Sequence, residues 1–180
     1  WFAFQNWDAQ PDLIVFAKGS NSGYVPVGGV VISADVAATF DDRVFPGGLT
    51  YSGHPLATAS IVGSIDAMRE EKVNEHSAEI GEKVIGPGLR DLMDKHKVIG
   101  EVRGLGVFWA LDLVTDRATR EPLAPYAGTS PAMTELVAEC KKRFLIPFTN
   151  FNRMHVVPPA TVSEAEVTEG LAILDDVFGI

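Results

Sequence analysis

The stretch Pro11-Asp12-Leu13-Ile14-Val15-Phe16-Ala17-Lys18-Gly19-Ser20-Asn21-Ser22-Gly23 decides how the rest of the chain is read. Leu13 to Phe16 reads as a short buried strand, started after Pro11-Asp12 and stopped by Gly19. The apolar run Leu13 to Ala17 leads straight into Lys18, and a loop of small residues follows. A lysine at that place sits beside backbone that a ligand can approach closely. Partial burial there would lower its proton affinity and make the amine a nucleophile toward an aldehyde. Lysines are mostly exposed, so position alone would leave Lys18 an ordinary surface residue.

Outward from this stretch, Val27 to Ile32 reads as a second strand. Ser33 is placed as the N-cap of a helix through Asp35 to Ala38. From Pro55 the period changes: Ala57, Ile61, Ile65 and Met68 recur at helical spacing, and Pro55 suits a first turn. Another helix is predicted over roughly Asn74 to His96, with a break or kink at Gly86-Pro87-Gly88. The last section reads as a compact α/β lobe. Val107, Trp109, Leu111 and Leu113 alternate as in a strand. Ser130-Pro131 can cap a helix with Met133, Leu136, Val137, Cys140 and Phe144 on its apolar face, so Cys140 reads as core. Met154 to Val157 reads as a short strand stopped by Pro158-Pro159. Ser163 and Glu166 form a capping-box pattern, with Val162 and Val167 as a hydrophobic staple. Val167, Leu171, Leu174 and Phe178 mark the buried face of that final helix. Domain boundaries fall at 1–70 and 71–180.

Composition narrows the class. With 46% hydrophobic and 22% charged residues the chain has enough apolar material for a core. No apolar run is long enough to span a bilayer. A net charge of −9 argues against a nucleic-acid binder but leaves room for a small phosphorylated ligand. One cysteine, Cys140, excludes an internal disulfide framework and points to a reducing, cytoplasmic setting. No signal peptide is visible, and the apolar start Trp1-Phe2-Ala3-Phe4 is expected of a piece of a longer chain.

Four segments, in order, resemble the class III (omega-type) aminotransferases that use pyridoxal 5'-phosphate (PLP). The first is Pro11 to Gly19 with Ser22-Gly23-Tyr24-Val25-Pro26-Val27-Gly28-Gly29. The others are Gly48-Leu49-Thr50-Tyr51-Ser52-Gly53-His54-Pro55, Gly100-Glu101-Val102-Arg103-Gly104-Leu105-Gly106, and Val156-Val157-Pro158-Pro159. The resemblance implies an α/β fold of the aspartate-aminotransferase type (PLP-dependent transferase fold type I). Residues 1–70 would end the mainly parallel sheet of the large PLP-binding domain. Residues 71–180 would form an interdomain helix and a small C-terminal α/β domain. It also implies that Lys18 holds PLP as a Schiff base and shuttles the proton, in ping-pong transfer from a small-molecule amino donor to an oxo acceptor. Thr50 matches the threonine that bonds the PLP phosphate of a neighbouring subunit, so a homodimer with shared active sites is implied.

Many members of this family bind the substrate carboxylate with an arginine upstream of the Pro-Pro element. Phe148 to Asn152 holds none, and Arg153, further along, is the remaining candidate. An amine or omega-amino acid substrate gains weight accordingly. Arg103 reads as an ion-pair partner, and His54 as a residue that packs and caps the helix after it. The family's pyridine-nitrogen aspartate, its glycine-rich phosphate turn and its stacking aromatic belong to the earlier half of the polypeptide. Two other readings stay open: an aminomutase or racemase using the same lysine, and a non-catalytic folded fragment.

Overall fold

A computed structural model describes residues Trp1–Ile180, which divide into two compact units, Trp1–Lys72 and Val73–Ile180.

In the first unit, β1 (Leu13–Ala17) and β2 (Gly28–Ile32) form a two-stranded antiparallel sheet, with Leu13 opposite Ile32 and Phe16 opposite Gly29. The connection from Lys18 to Val27 is shorter than the dozen or so residues a parallel crossover needs. These two strands therefore pair antiparallel. Nor is β1 buried as its composition predicts. Ile14 and Phe16 are half-buried, while Val15 on the other face is 78% exposed. The strand is apolar on both faces and these 72 residues cover only one. Ser33 caps α1 (Ala34–Ala38), its hydroxyl accepting from the Val36 N–H at 3.3 Å. A longer helix, α2 (Pro55–Glu70), opens with Pro55 in its first turn, where the missing N–H costs nothing. His54 caps it: Nδ1 accepts from the Leu56 N–H at 3.2 Å, as the sequence predicted.

The second unit is a sheet with helices packed on one face. Helix α3 (Val73–Ile80) passes through a π turn, Gly81–Ile85, directly into α4 (Gly86–Lys95). The expected break at Gly86-Pro87-Gly88 does not occur there. Proline lacks an N–H and its ring crowds the carbonyl four residues back. The wider turn just ahead absorbs both problems, the Gly86 N–H donating to the Gly81 carbonyl. Gly81 has a second duty, since a Cβ there would lie 2.0 Å from the Gly106 carbonyl oxygen.

The sheet comprises β3 (Ile99–Leu105), β4 (Phe108–Asp116), β5 (Glu121–Pro122), β6 (Phe148–Asn150) and β7 (Arg153–Val156). The order is β3-β4-β7-β6, β5 pairs with β4, and every pairing is antiparallel. Helix α4 packs on β3 and α6 (Glu164–Phe178), and α6 packs on α5 (Pro131–Lys142). The core between sheet and helices holds Ile85, Leu89, Ile99, Leu111, Leu113, Met133, Cys140 and Met154, all essentially inaccessible. Ser130 and Ser163 cap α5 and α6 as predicted, and Ser163–Glu166 forms the full capping box. Phe144 departs from expectation. Helix α5 ends at Lys142, so its period does not reach Phe144, which turns left-handed (φ 62°) and stands 96% exposed. Arg117, which no sequence pattern marked, closes the end of α4 by donating to the Ile99, His96 and Met93 carbonyls.

Candidate active site

Strand β1 ends at Ala17, and Lys18 opens a single 3-10 turn, Lys18–Asn21. Lys18 itself has φ 55°, and Ser22 has the same value. Non-glycine residues hold this left-handed conformation only where their surroundings enforce it, and such residues gather at functional sites. Enforcement here comes from several bonds. The Lys18 carbonyl accepts from the Gly23 N–H at 3.2 Å and from the Ser22 N–H. Asn21, the one buried polar residue of the chain, ties the turn down from inside. Its Nδ2 donates to the Val25 carbonyl at 2.7 Å and to the Ser60 hydroxyl on α2 at 2.8 Å. Its Oδ1 accepts from the Gly23 N–H at 3.1 Å. Sequence reading missed Asn21; the available signal was an amide next to a Ser-Gly turn.

The partial burial expected of Lys18 is not met within these residues: it is exposed. The turn beside it offers only small side chains, and the outer face of β1 is open. Thr50 also lies exposed, in a turn closed by the Ser52 N–H donating to the Leu49 carbonyl at 3.0 Å. Lys18 and Thr50 share the first unit with no hydrogen bond between them, while Arg153 belongs to the second. A Cβ at Gly19 or Gly48 would meet nothing within 4 Å, so backbone beside both Lys18 and Thr50 is open to close approach. An amine for an aldehyde, a hydroxyl for a phosphate and open backbone next to each fit PLP in chemistry.

On the open face of the second unit's sheet, Arg153 Nε donates to Asp112 Oδ1 at 3.0 Å. Arg103 Nη1 donates to Asp112 Oδ2 at 2.6 Å and lies 3.2 Å from Glu101. Arg103 is therefore the ion-pair partner the sequence predicted. Arg153 enters the same network, with one of its donors committed to Asp112. Burial pushes the Asp112 carboxyl up, but hydrogen bonds and charge from Arg103 and Arg153 outweigh it and hold the group below its ordinary value. Beside them His155 meets the rings of Phe148 and Phe108 edge-on, at 5.2 and 6.0 Å. Burial pushes its imidazole below the ordinary value, and Arg153 adds to the effect. Asp112 and His155 escaped sequence reading because only strand register brings them beside Arg153. Cys140 is fully buried, and burial pushes its thiol up, which suits a core residue rather than a nucleophile.

The class-III aminotransferase family model matches residues 1–178. The 5-aminovalerate aminotransferase of Pseudomonas aeruginosa is 35% identical over 183 residues, covering 99% of this chain and 40% of that one. A taurine–pyruvate aminotransferase of Bilophila wadsworthia is 31% identical, covering 99% of this chain and 41% of its own. Among solved structures, the taurine:2-oxoglutarate aminotransferase of Bifidobacterium kashiwanohense, in complex with PLP and glutamate, superposes with a TM-score of 0.91 at 38% identity. That match covers 99% of this chain and 40% of the solved one. The chain thus spans about two fifths of the length of the relatives it matches. With nearly every residue of the sequence inside the match, the chain belongs to the class-III aminotransferase family.

Proposed function

We propose that this chain is the C-terminal part of a PLP-dependent aminotransferase, in which Lys18 is the amine that holds the cofactor. Bound there, PLP supplies the electron sink that makes a proton on the amine-bearing carbon of the donor removable. Lys18 Nζ is the base that moves this proton. Thr50 donates its hydroxyl to the phosphate of a cofactor bound by a second copy, so the working form is a homodimer. Residues 1–72 belong to the cofactor domain and residues 73–180 to the small C-terminal domain. The observation that carries the proposal is the strained, tightly bonded turn that presents Lys18 at the end of β1.

The donor class follows from the relatives' named substrates and from Arg153. 5-Aminovalerate and taurine both carry a terminal primary amine with an acid group at the far end. Arg153 already gives one donor to Asp112, so it offers an acid group a shared guanidinium rather than a free one. We therefore assign the donor as an omega-amino acid or amine and the acceptor as a small oxo acid.

Borohydride reduction of the PLP-loaded full-length protein, followed by peptide mapping, tests the cofactor role. Pyridoxyl label is expected on Lys18 and is lost in Lys18→Ala; label on another lysine overturns the reading. Product formation from an omega-amino acid is expected to require an oxo acid. Conversion without one identifies an aminomutase or racemase instead.

A further inference from the structure

The geometry points to Asn21 as a positioning residue for Lys18, acting through Ser60 on α2; this rests on the proposed cofactor role of Lys18. Three facts about the turn converge. Lys18 and Ser22 are held left-handed at φ 55°, and Gly23 follows at φ 76°. Positive φ at the two side-chain-bearing residues, Lys18 and Ser22, is strained and persists only where the surroundings enforce it. The turn therefore needs an outside anchor, and Asn21 is 1% exposed with both amide hydrogens and its carbonyl oxygen engaged. Two of those bonds, to Val25 and Gly23, close the loop upon itself. The third leaves the loop and reaches the second turn of a 16-residue helix. There the Ser60 hydroxyl donates onward to the Ala57 carbonyl at 2.7 Å, so its own proton is spent and its lone pair is aimed at Asn21.

The direction of these bonds is what gives the contact its specificity. Ser60 acts as acceptor toward Asn21 and as donor toward the helix backbone, so an amide suits the position and a carboxylate does not. An aspartate would keep the bond from the Gly23 N–H but would face the Val25 carbonyl and the Ser60 lone pair without a proton. The turn that carries Lys18 packs on α2, and the Asn21–Ser60 hydrogen bond fixes its register there. Asn21 touches no reacting group in this scheme; its effect is on where the Lys18 amine sits and how readily it meets an aldehyde.

The test follows capture of PLP by the full-length apoprotein, read as borohydride-fixed pyridoxyl on the Lys18 peptide against time. It also follows the pH at which the visible absorption band of the lysine-bound cofactor changes form. Asn21→Ala is expected to slow capture about tenfold or more and to displace that pH, since small misplacements of a reacting group carry large rate costs. Asn21→Asp is expected to behave like Asn21→Ala. Ser60→Ala is expected to give a smaller change in the same direction, and it supplies the answer if Asn21→Ala does not fold. Ser60→Thr keeps the hydroxyl and is expected to restore wild-type values. If Asn21→Ala and Ser60→Ala lower the melting temperature yet leave capture rate and titration unchanged, Asn21 is merely structural and the inference fails. If the wild-type label falls on a lysine other than Lys18, the cofactor reading fails first, and the two failures are told apart by one peptide map.

Discussion

Residues 73–180 and residues 1–72 treat their apolar side chains in opposite ways. In the second unit, one face of a five-stranded sheet is closed by α3 to α6, and seventeen apolar residues form one buried cluster. In the first unit, Ala57 and Asn21 alone are buried, while Leu13, Val15, Val30, Val31 and Ile32 are exposed along both strands. Yet β1 and β2 are the more uniformly apolar strands. A strand apolar on both faces is built to be covered on both. Exposed apolar area of that extent marks a surface made for another partner. The second unit carries its own core, whereas the first, under the proposed assignment to a cofactor domain shared with the remaining length of the relatives, would be one wall of a larger one. That assignment also explains why the candidate site, which lies on the wall, looks open.

Substitutions in the two units test this contrast. Leu111→Ala opens a hole in a side chain that is 0% exposed at the centre of the second unit. It should cost about 3 kcal/mol in urea unfolding of the 180-residue chain. A loss under about 1 kcal/mol would show that the cluster is loosely packed. Next in size, Asp112→Asn removes the shared acceptor of Arg103 and Arg153. Both guanidinium groups are more than one-third exposed, so the expected loss is discounted to about 1–1.5 kcal/mol. The sign with pH is definite. The folded-state pKa of Asp112 is depressed, so its contribution is complete above the unfolded value and fades as pH falls through the folded value. Wild type should therefore lose stability below about pH 4 more steeply than Asp112→Asn. In the same variant the His155 imidazole, observed by NMR, should titrate still lower, because Asp112 is the group that raises it.

Ser163→Ala should cost about 1 kcal/mol, since its hydroxyl accepts the Glu166 N–H at the head of a helix with one buried face. The smallest effect is expected at Val15→Ala, within about 0.5 kcal/mol for the chain as it stands. The same change in the full-length protein should cost distinctly more. Equal effects in both would refute the idea that β1 is a wall of a larger core.

Local elements were legible from the residues alone. Short apolar runs bounded by turn residues placed β1 and β2, period-two alternation placed β4, and period 3.6 placed α2, α5 and α6; the caps at Ser33, His54, Ser130 and Ser163 were legible because capping is decided by neighbours within a few residues. The sequence also singled out Lys18 and Thr50, through motifs that are contiguous in the chain. Tertiary structure decided everything that rests on distant residues meeting. The close seat of Gly81 against Gly106 joins residues far apart in the chain, and the Asp112 network depends on the register of β3, β4 and β7. Asn21 became visible only through its bond to Ser60, thirty-nine residues away. The exposure of Lys18 was likewise beyond a sequence reading, because burial is a property of what surrounds a residue and not of its own composition.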